Sequence, residues 1–379
     1  MEKMKVGLIG CGMISEVYLK NCTERFGNME IKACADINAQ SAEKRAQQFG
    51  ILAMTVEELL ADPEIELVLN LTIPDQHAPV SKKILEAGKH AYSEKPFATT
   101  YEDAIALLNL AKDKNLCVGS APDTFMGGGL QTVRSLLDSD MIGRPFAAQA
   151  FLFSRGPEYF HPNPEFLYKE GAGPLMDWGP YYITALVSLF GPVRRVYGAA
   201  RKTFEEREIK APKSPLKGQK FPVEVPTYVT SILGFENGML VNLTVTFDLQ
   251  CAYWESEMPY IQIYGTEGVI SVPDVNGFAG PVLLRKGDGK FEKVEAKGNF
   301  TDNCRGMGLC DMIHGIQTKE SWRTEGHMGA HVVEVMLAIL ESAREKKEIT
   351  LNTTCKIPKA LPLDMKPEMY TVKEVKDEV

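Results

Sequence analysis

Six residues, Gly10-Cys11-Gly12-Met13-Ile14-Ser15, follow a short apolar run and open an amphipathic one. Glycine there lets the backbone turn tightly and approach a diphosphate held at a helix N-terminus, which is the chemistry of a dinucleotide site. A purely structural glycine turn is the alternative. The third small position is Ser15 rather than glycine, which still permits close helix-to-strand packing. Asp36 ends the next apolar run, where a carboxylate accepts a ribose 2′-hydroxyl and repels a 2′-phosphate, so that NAD is favoured over NADP. The competing reading makes Asp36 a cap for the following helix. Two further turns, Thr72-Ile73-Pro74-Asp75-Gln76-His77 and Glu94-Lys95-Pro96, each follow an apolar run and fall at the carboxyl edge, where open α/β sheets take their ligands. Thr72, Pro74, His77, Glu94 and Lys95 thus join Gly10, Gly12, Met13, Ile14, Ser15 and Asp36 as candidate cofactor contacts. Farther along, Asp177 and Tyr181 stand at i and i+4, about 40° apart around a helix. Thr184 and Ser188 continue that polar stripe, opposite Leu175, Leu186 and Leu189.

The scaffold for these side chains is written in the periodicity. Residues 5–9, 30–35, 67–71, 90–93 and 117–120 read as buried strands, and 13–25, 39–49, 76–87 and 101–114 as the helices that separate most of them. This alternation predicts an α/β domain over 1–124 with a doubly wound parallel sheet. After about Asp123 the pattern changes. Met239, Val241, Leu243, Val245 and Phe247 alternate with Asn242, Thr244 and Thr246, which predicts an antiparallel strand covered on one face. Runs at 146–153, 193–203, 228–235, 261–264 and 268–272 extend this to an open, mainly antiparallel sheet, backed by helices at 175–190 and 331–344. The result is an α+β domain over 125–379. Residues 204–227 hold Pro212, Pro215, Pro222 and Pro226 among many lysines and glutamates, predicting a long solvated excursion, either a mobile loop or an arm that touches another subunit.

A chain of 379 residues, 44% hydrophobic and 24% charged, has an ordinary globular composition, which excludes disordered, collagen-like and coiled-coil classes. Its net charge of −8, without a basic run beside stacking aromatics, excludes nucleic acid and anionic membrane as partners. No apolar run nears the ~18 residues of a membrane span, and the first strand follows Met1 too closely for a signal peptide. The eight cysteines, Cys11, Cys22, Cys34, Cys117, Cys251, Cys304, Cys310 and Cys355, form no C-x-x-C pair, so the expected compartment is the reduced cytosol.

The glycine turn, the Thr-x-Pro-x-x-His turn, Glu-Lys-Pro and Asp177 resemble, across essentially the whole chain, the glucose-fructose oxidoreductase and inositol dehydrogenase (Gfo/Idh/MocA) family. The resemblance implies a Rossmann domain, a C-terminal open-sheet domain that joins subunits as a homodimer or homotetramer, and nicotinamide-dependent redox chemistry on sugars or polyols. By the same resemblance Lys95 matches the active-site lysine, Asp177 the carboxylate, and Tyr181 a position that is usually histidine. Tyrosine there is similar to the glucose-fructose oxidoreductase branch and makes a phenol the natural base. Oxidising a ring hydroxyl requires a base for the O–H proton while hydride leaves carbon for the nicotinamide. Lys95 either takes that proton or assists Tyr181 in taking it, and the residue types leave both open. Asp177 would accept a hydrogen bond from a sugar hydroxyl or orient the base.

The expected activity is therefore NAD-dependent hydride transfer at a secondary hydroxyl, or the matching ketone, of a sugar, polyol or glycoside. Two alternatives stand beside it: a glycoside-cleaving enzyme that oxidises its substrate transiently with tightly bound NAD, and a non-enzymatic NAD-binding sensor. Retention of Lys95 with Asp177 argues against the sensor. The loop Glu158-Tyr159-Phe160-His161-Pro162-Asn163 offers Tyr159 and His161 to a sugar, or is simply packed, and Trp178 reads as core. Asp302, Asn303, Arg305 and His314 flank a glycine-rich turn that resembles a family segment near the site, which makes Arg305 and His314 candidate substrate contacts. His327, His331 and Glu334 have helical spacing, yet no other motif supports zinc and this chemistry needs no metal, so no metal site is expected.

Overall fold

A computed structural model describes residues 2–250, 260–296, 298, 300–362 and 365. Cys251 lies outside the described residues. Contacts divide the chain into two units: Met1–Gly128 with Gly298–Val333 and Pro358–Val379, and Gly129–Lys297 with Glu334–Ile357.

In the first unit the apolar runs form six strands: β1 (Met4–Ile9), β2 (Met29–Ala35), β3 (Leu52–Ala53), β4 (Leu67–Asn70), β5 (His90–Ser93) and β6 (Val118–Ser120). All pair in parallel, in the order β3-β2-β1-β4-β5-β6. Between them run α1 (Ser15–Glu24), α2 (Ala39–Phe49), α3 (Val56–Ala61), α4 (Pro74–Glu86) and α5 (Tyr101–Asp113). Val6, Leu8, Leu67, Val68 and Leu69 have no exposed surface, as strands of a parallel sheet covered on both faces require. This is the Rossmann order, with the chain reversing its progress across the sheet between β1 and β4. The short α3 carries no apolar periodicity to announce it. It is fixed by a capping box, in which Thr55 and Glu58 satisfy each other's backbone N–H groups.

The second unit holds α6 (Gly128–Asp138), β7 (Pro145–Phe153), α7 (Pro174–Phe190), β8 (Val193–Arg201), β9 (Glu206–Glu208), β10 (Lys220–Pro222), β11 (Tyr228–Phe235), β12 (Leu240–Thr246), β13 (Ile261–Gly265), β14 (Gly268–Val272), β15 (Val282–Lys286) and β16 (Glu292–Val294). Helix α8 (Met307–Thr318) and the first part of α9 (Gly326–Glu345) belong to the first unit, and the second takes up the chain again at Glu334, within α9, and ends with β17 (Ile349–Thr350). Nine strands form one mainly antiparallel sheet, ordered β16-β15-β14-β13-β7-β12-β11-β8-β17. The alternating strand differs from expectation in two ways. It is antiparallel to β11 but parallel to β7 on its other edge. Its polar face is also largely covered, since Thr244 and Thr246 are buried. Their hydroxyls are satisfied locally, Thr244 with Thr230 across the strand pair at 2.8 Å and Thr246 by the Asp248 N–H at 2.9 Å. Threonine alternation therefore marked polarity without exposure.

The segment 204–227 is not a solvated mobile loop. β9 and β10 pair as an antiparallel hairpin, and Ile209, Phe221 and Val223 join Tyr168 and Phe247 in an apolar cluster. Prolines and charges occupy its outer positions, while Arg207 and Phe221 point inward as a strand's period of two dictates. Arg207 is buried yet satisfied: Nε donates to Glu158 at 2.8 Å, Nη2 to the Arg155 and Phe247 carbonyls, and Nη1 reaches Asp248 at 3.3 Å.

Candidate active site

At the end of β1, Gly10 has φ 103°, and a Cβ there would stand 2.5 Å from the carbonyl carbon of Leu71, which follows β4. Only glycine allows the two loops at the sheet's reversal point to approach this closely. A Cβ on Gly12 would meet nothing within 4 Å, leaving room for a ligand group against its backbone. Ser15, fully buried, donates to the Gly12 carbonyl at 2.6 Å and accepts from Arg45 Nε at 3.1 Å. Arg45 reaches that same carbonyl and Glu16, so an arginine from α2 pins the glycine turn. Asp36 accepts the Cys11 N–H on one oxygen at 2.7 Å and the Asn38 N–H on the other at 2.8 Å. Each oxygen keeps a lone pair for a further donor. The cap of α2 is Asn38, whose side chain accepts from Gln40. Met13, Ile37 and Ile73 are exposed apolar side chains beyond β1, β2 and β4. Open backbone at Gly12, the start of α1, a carboxylate with spare lone pairs and this apolar rim suit the diphosphate, ribose and ring faces of a dinucleotide.

The next two turns are built around buried acceptors. Asn70, at the end of β4, donates to the His77 carbonyl and to Ser81, and its Oδ1 takes both the N–H and the hydroxyl of Thr72. Pro74 opens α4 and is exposed, with Thr72 half-buried. His77 is buried, its Nδ1 2.7 Å from the Pro96 carbonyl and its Nε2 2.9 Å from the Thr72 carbonyl. It lies buried between the two turns, and the neutral ring donates its one N–H to one of these two carbonyls. Burial pushes the imidazole pKa below its ordinary value against the opposing pull of the two carbonyls. Glu94 is likewise turned inward. One oxygen accepts the Lys95 N–H at 2.8 Å and the other the Tyr18 hydroxyl at 2.7 Å. Lys95 itself is half-buried at the end of β5.

Beyond β6, Asp123 accepts the N–H groups of Gly306 and Gly308 at 2.8 and 3.0 Å, at the start of α8. Burial raises its pKa to about 6, with these donors and the Arg305 charge opposing. Asn21 holds the carbonyls of Asn303 and Arg305, and Arg25 pairs with Asp302 at 2.7 Å, so this segment lies along α1. Helix α8 then leads away, and Gln317 reaches the Glu2 carbonyl ahead of β1. His314, near that far end and about 10 Å along the helix from Met307, is thereby removed from the carboxyl-edge set.

In the second unit, Asp177 lies in the first turn of α7, where the helix dipole favours a carboxylate, and Tyr181 follows one turn on. Both are half-buried. The stripe does not continue to solvent, because Thr184 and Ser188 are buried, the latter donating to the Ala185 carbonyl. Trp178 is half-buried, packs on the Tyr168–Phe247 cluster and has its ring 6.2 Å from that of Tyr181. Arg155 stacks over Tyr159 at 3.8 Å, and Lys210 donates to the Tyr159 hydroxyl at 3.2 Å. Partial burial pushes this phenol pKa up, but the two cations outweigh it and hold the group below its ordinary value. His161 turns onto its own loop, accepting the Asn163 N–H and meeting Phe166 edge-on. Glu158 is buried against Arg207 and Tyr168. On α9, His331 is buried, and the Glu334 carboxylate is taken by Asn352 and Thr353. Among the described residues no three His, Cys, Asp or Glu side chains group as a metal site, and no helix is long and apolar enough to cross a membrane.

Tyr18, Arg45, Asn70 and Arg207 do not announce themselves in the sequence as site residues. Their one signal is a polar group inside an apolar pattern, as in Leu67-Val68-Leu69-Asn70.

A family model described as an oxidoreductase family with an NAD-binding Rossmann fold matches residues 4–121, and the GFO/IDH/MocA C-terminal domain matches 130–271. An uncharacterized oxidoreductase of Schizosaccharomyces pombe is 29% identical over 250 residues, which cover 61% of this chain and 66% of the relative. Levoglucosan dehydrogenase of Pseudarthrobacter phenanthrenivorans is 24% identical over 295 residues, 71% of this chain and 73% of that one. A solved levoglucosan dehydrogenase in complex with NADH has the same fold, with a TM-score of 0.76, 22% identity and coverage of 93% of this chain and 100% of that one. The strand order, the glycine turn at its reversal point and two family models that cover the six-stranded sheet and most of the nine-stranded one lead to one assignment: the chain belongs to the Gfo/Idh/MocA family of NAD-binding oxidoreductases.

Proposed function

We propose that this oxidoreductase moves hydride between NAD and a secondary hydroxyl, or the matching ketone, of a sugar, polyol or glycoside. The observation that carries the reading is Lys95, fixed by its backbone at the carboxyl edge that also bears the glycine turn and Asp36. NAD, when bound, supplies the hydride acceptor. Asp36 accepts the ribose 2′-hydroxyl with its spare lone pairs, and its charge disfavours a 2′-phosphate. Lys95 takes the proton from the substrate hydroxyl or assists Tyr181 in taking it, and Asp177 receives a neighbouring hydroxyl or orients the base. The resemblance of this chain to levoglucosan dehydrogenase supports a carbohydrate substrate.

The test is NADH formation across a panel of sugars, polyols and glycosides, with the cofactor content of the purified protein recorded first. Activity on one of them that is lost in Lys95→Met supports the reading, and undiminished activity of that variant overturns the assignment of Lys95. We also propose a dimer or tetramer assembled through the open face of the nine-stranded sheet, where the paired residues Tyr197 and Ile232 are both exposed. A monomer by light scattering at micromolar concentration would refute that.

A further inference from the structure

A lysine that handles a proton must be held to within a fraction of an ångström, and its own flexible stem does not do this. The backbone around Lys95 is held from both sides by buried side chains. On the amino side Glu94 bridges two donors, the Lys95 N–H at 2.8 Å and the hydroxyl of Tyr18 at 2.7 Å. On the carboxyl side His77 Nδ1 lies 2.7 Å from the carbonyl of Pro96, while its Nε2 meets the carbonyl of Thr72. Tyr18 is fully buried on α1, the helix that begins at the glycine turn, and Glu94 and His77 are buried too. Burial and the charge of Glu94 both push the Tyr18 phenol up, so it stays a donor at neutral pH. An unbroken chain of contacts therefore runs from α1 through Tyr18, Glu94, the Lys95–Pro96 turn and His77 to Thr72 after β4. Those are the first, fifth and fourth strand loops of the dinucleotide-binding edge.

We propose that Tyr18, acting through Glu94, is a positioning residue for Lys95, with His77 as the second hold. The proposal rests on the assignment of Lys95 to proton transfer given above. A buried phenol is not needed for packing alone at this place. Phenylalanine would fill the same volume, and only the hydroxyl reaches Glu94.

The experiment uses the full chain and a substrate found in the panel above, with Tyr18→Phe, Lys95→Met and the double variant. Tyr18→Phe is expected to lower kcat roughly 10- to 100-fold, the scale of a small misplacement of a reacting group. KM for the sugar and the Kd for NADH should stay within about twofold, and the double variant should be no slower than Lys95→Met alone. Wild-type kcat in Tyr18→Phe together with an inactive Lys95→Met overturns the positioning role and leaves the assignment of Lys95 standing. Full activity in Lys95→Met overturns that assignment itself. A double variant slower than Lys95→Met by the whole Tyr18→Phe factor shows that Tyr18 acts elsewhere, and overturns the proposal. If Tyr18→Phe does not fold, Glu94→Gln, which keeps one acceptor oxygen for two donors, carries the same expectations.

Discussion

Replacing Asp123 with asparagine isolates the cost of burying a charge to fix the start of α8. Both bonds from Gly306 and Gly308 go to one oxygen of Asp123, and the amide oxygen of asparagine can receive them in the same geometry. What changes is the charge. Burial raises the carboxyl from 3.8 to about 6, which means that the folded protein holds the proton more tightly than the unfolded chain does. For a carboxyl with a raised folded pKa, the stabilising contribution is complete below about 4 and is lost as pH rises through about 6. The gap corresponds to about 3 kcal/mol in wild type, and it disappears in Asp123→Asn. The difference in unfolding free energy, variant minus wild type, should therefore climb by up to about 3 kcal/mol between pH 4 and pH 8. Urea unfolding at one-unit pH intervals reads it directly. Parallel curves for the two proteins across that range would refute the reasoning, since they would show that the two N–H donors and Arg305 fully offset the desolvation.

Asp36→Asn keeps an oxygen for the Cys11 N–H but loses the charge, so NAD should bind about 1.5–3 kcal/mol more weakly and the preference over NADP should narrow, as read by the ratio of kcat/KM values. Equal wild-type dissociation constants for the two cofactors would refute the role of Asp36. Phe221→Ala removes a ring buried between Tyr168 and its neighbours, and should cost about 3–5 kcal/mol in the unfolding of the second unit, where a solvated loop would lose almost nothing. Lys210→Met takes away one of the two cations that hold the Tyr159 phenol down, so its titration, followed by tyrosinate absorbance, should move toward higher pH. An unchanged curve would mean that Arg155 alone sets it.

The parallel sheet was legible because burial on both faces writes itself as unbroken apolar runs, and the glycine turn because only one residue type tolerates Gly10's φ of 103° and its approach to Leu71. The period of two along β12 reported which side chains share a face, but carries no information about which strand lies alongside, and the parallel pairing with β7 was invisible for that reason. Proline and charge counts over 204–227 averaged out inward positions such as Arg207, Ile209, Phe221 and Val223, which make the hairpin part of the core. Tyr18 is separated from Glu94 by 76 residues and Asn21 from the Arg305 carbonyl by 284. Bonds of that span leave no local pattern.

One rule ties the carboxyl edge of the first sheet together. Asp36 after β2, Asn70 at the end of β4, Glu94 after β5 and Asp123 beyond β6 each accept a backbone N–H from an irregular segment or a helix start: Cys11, Thr72, Lys95, and Gly306 with Gly308. Loops that leave a sheet lose their ladder partners, and buried backbone donors must then be satisfied by side chains or left at a cost of a few kcal/mol each. A polar residue closing an apolar strand is for this reason ambiguous in a sequence, since it serves either the ligand or the loop that will hold the ligand. Each carboxylate spends one bond per oxygen, so burial separates the two. Asp36 is half-buried, and its remaining lone pairs stay within reach of a ligand. Glu94 is buried, and its effect on chemistry has to pass through the residue it holds, which is Lys95.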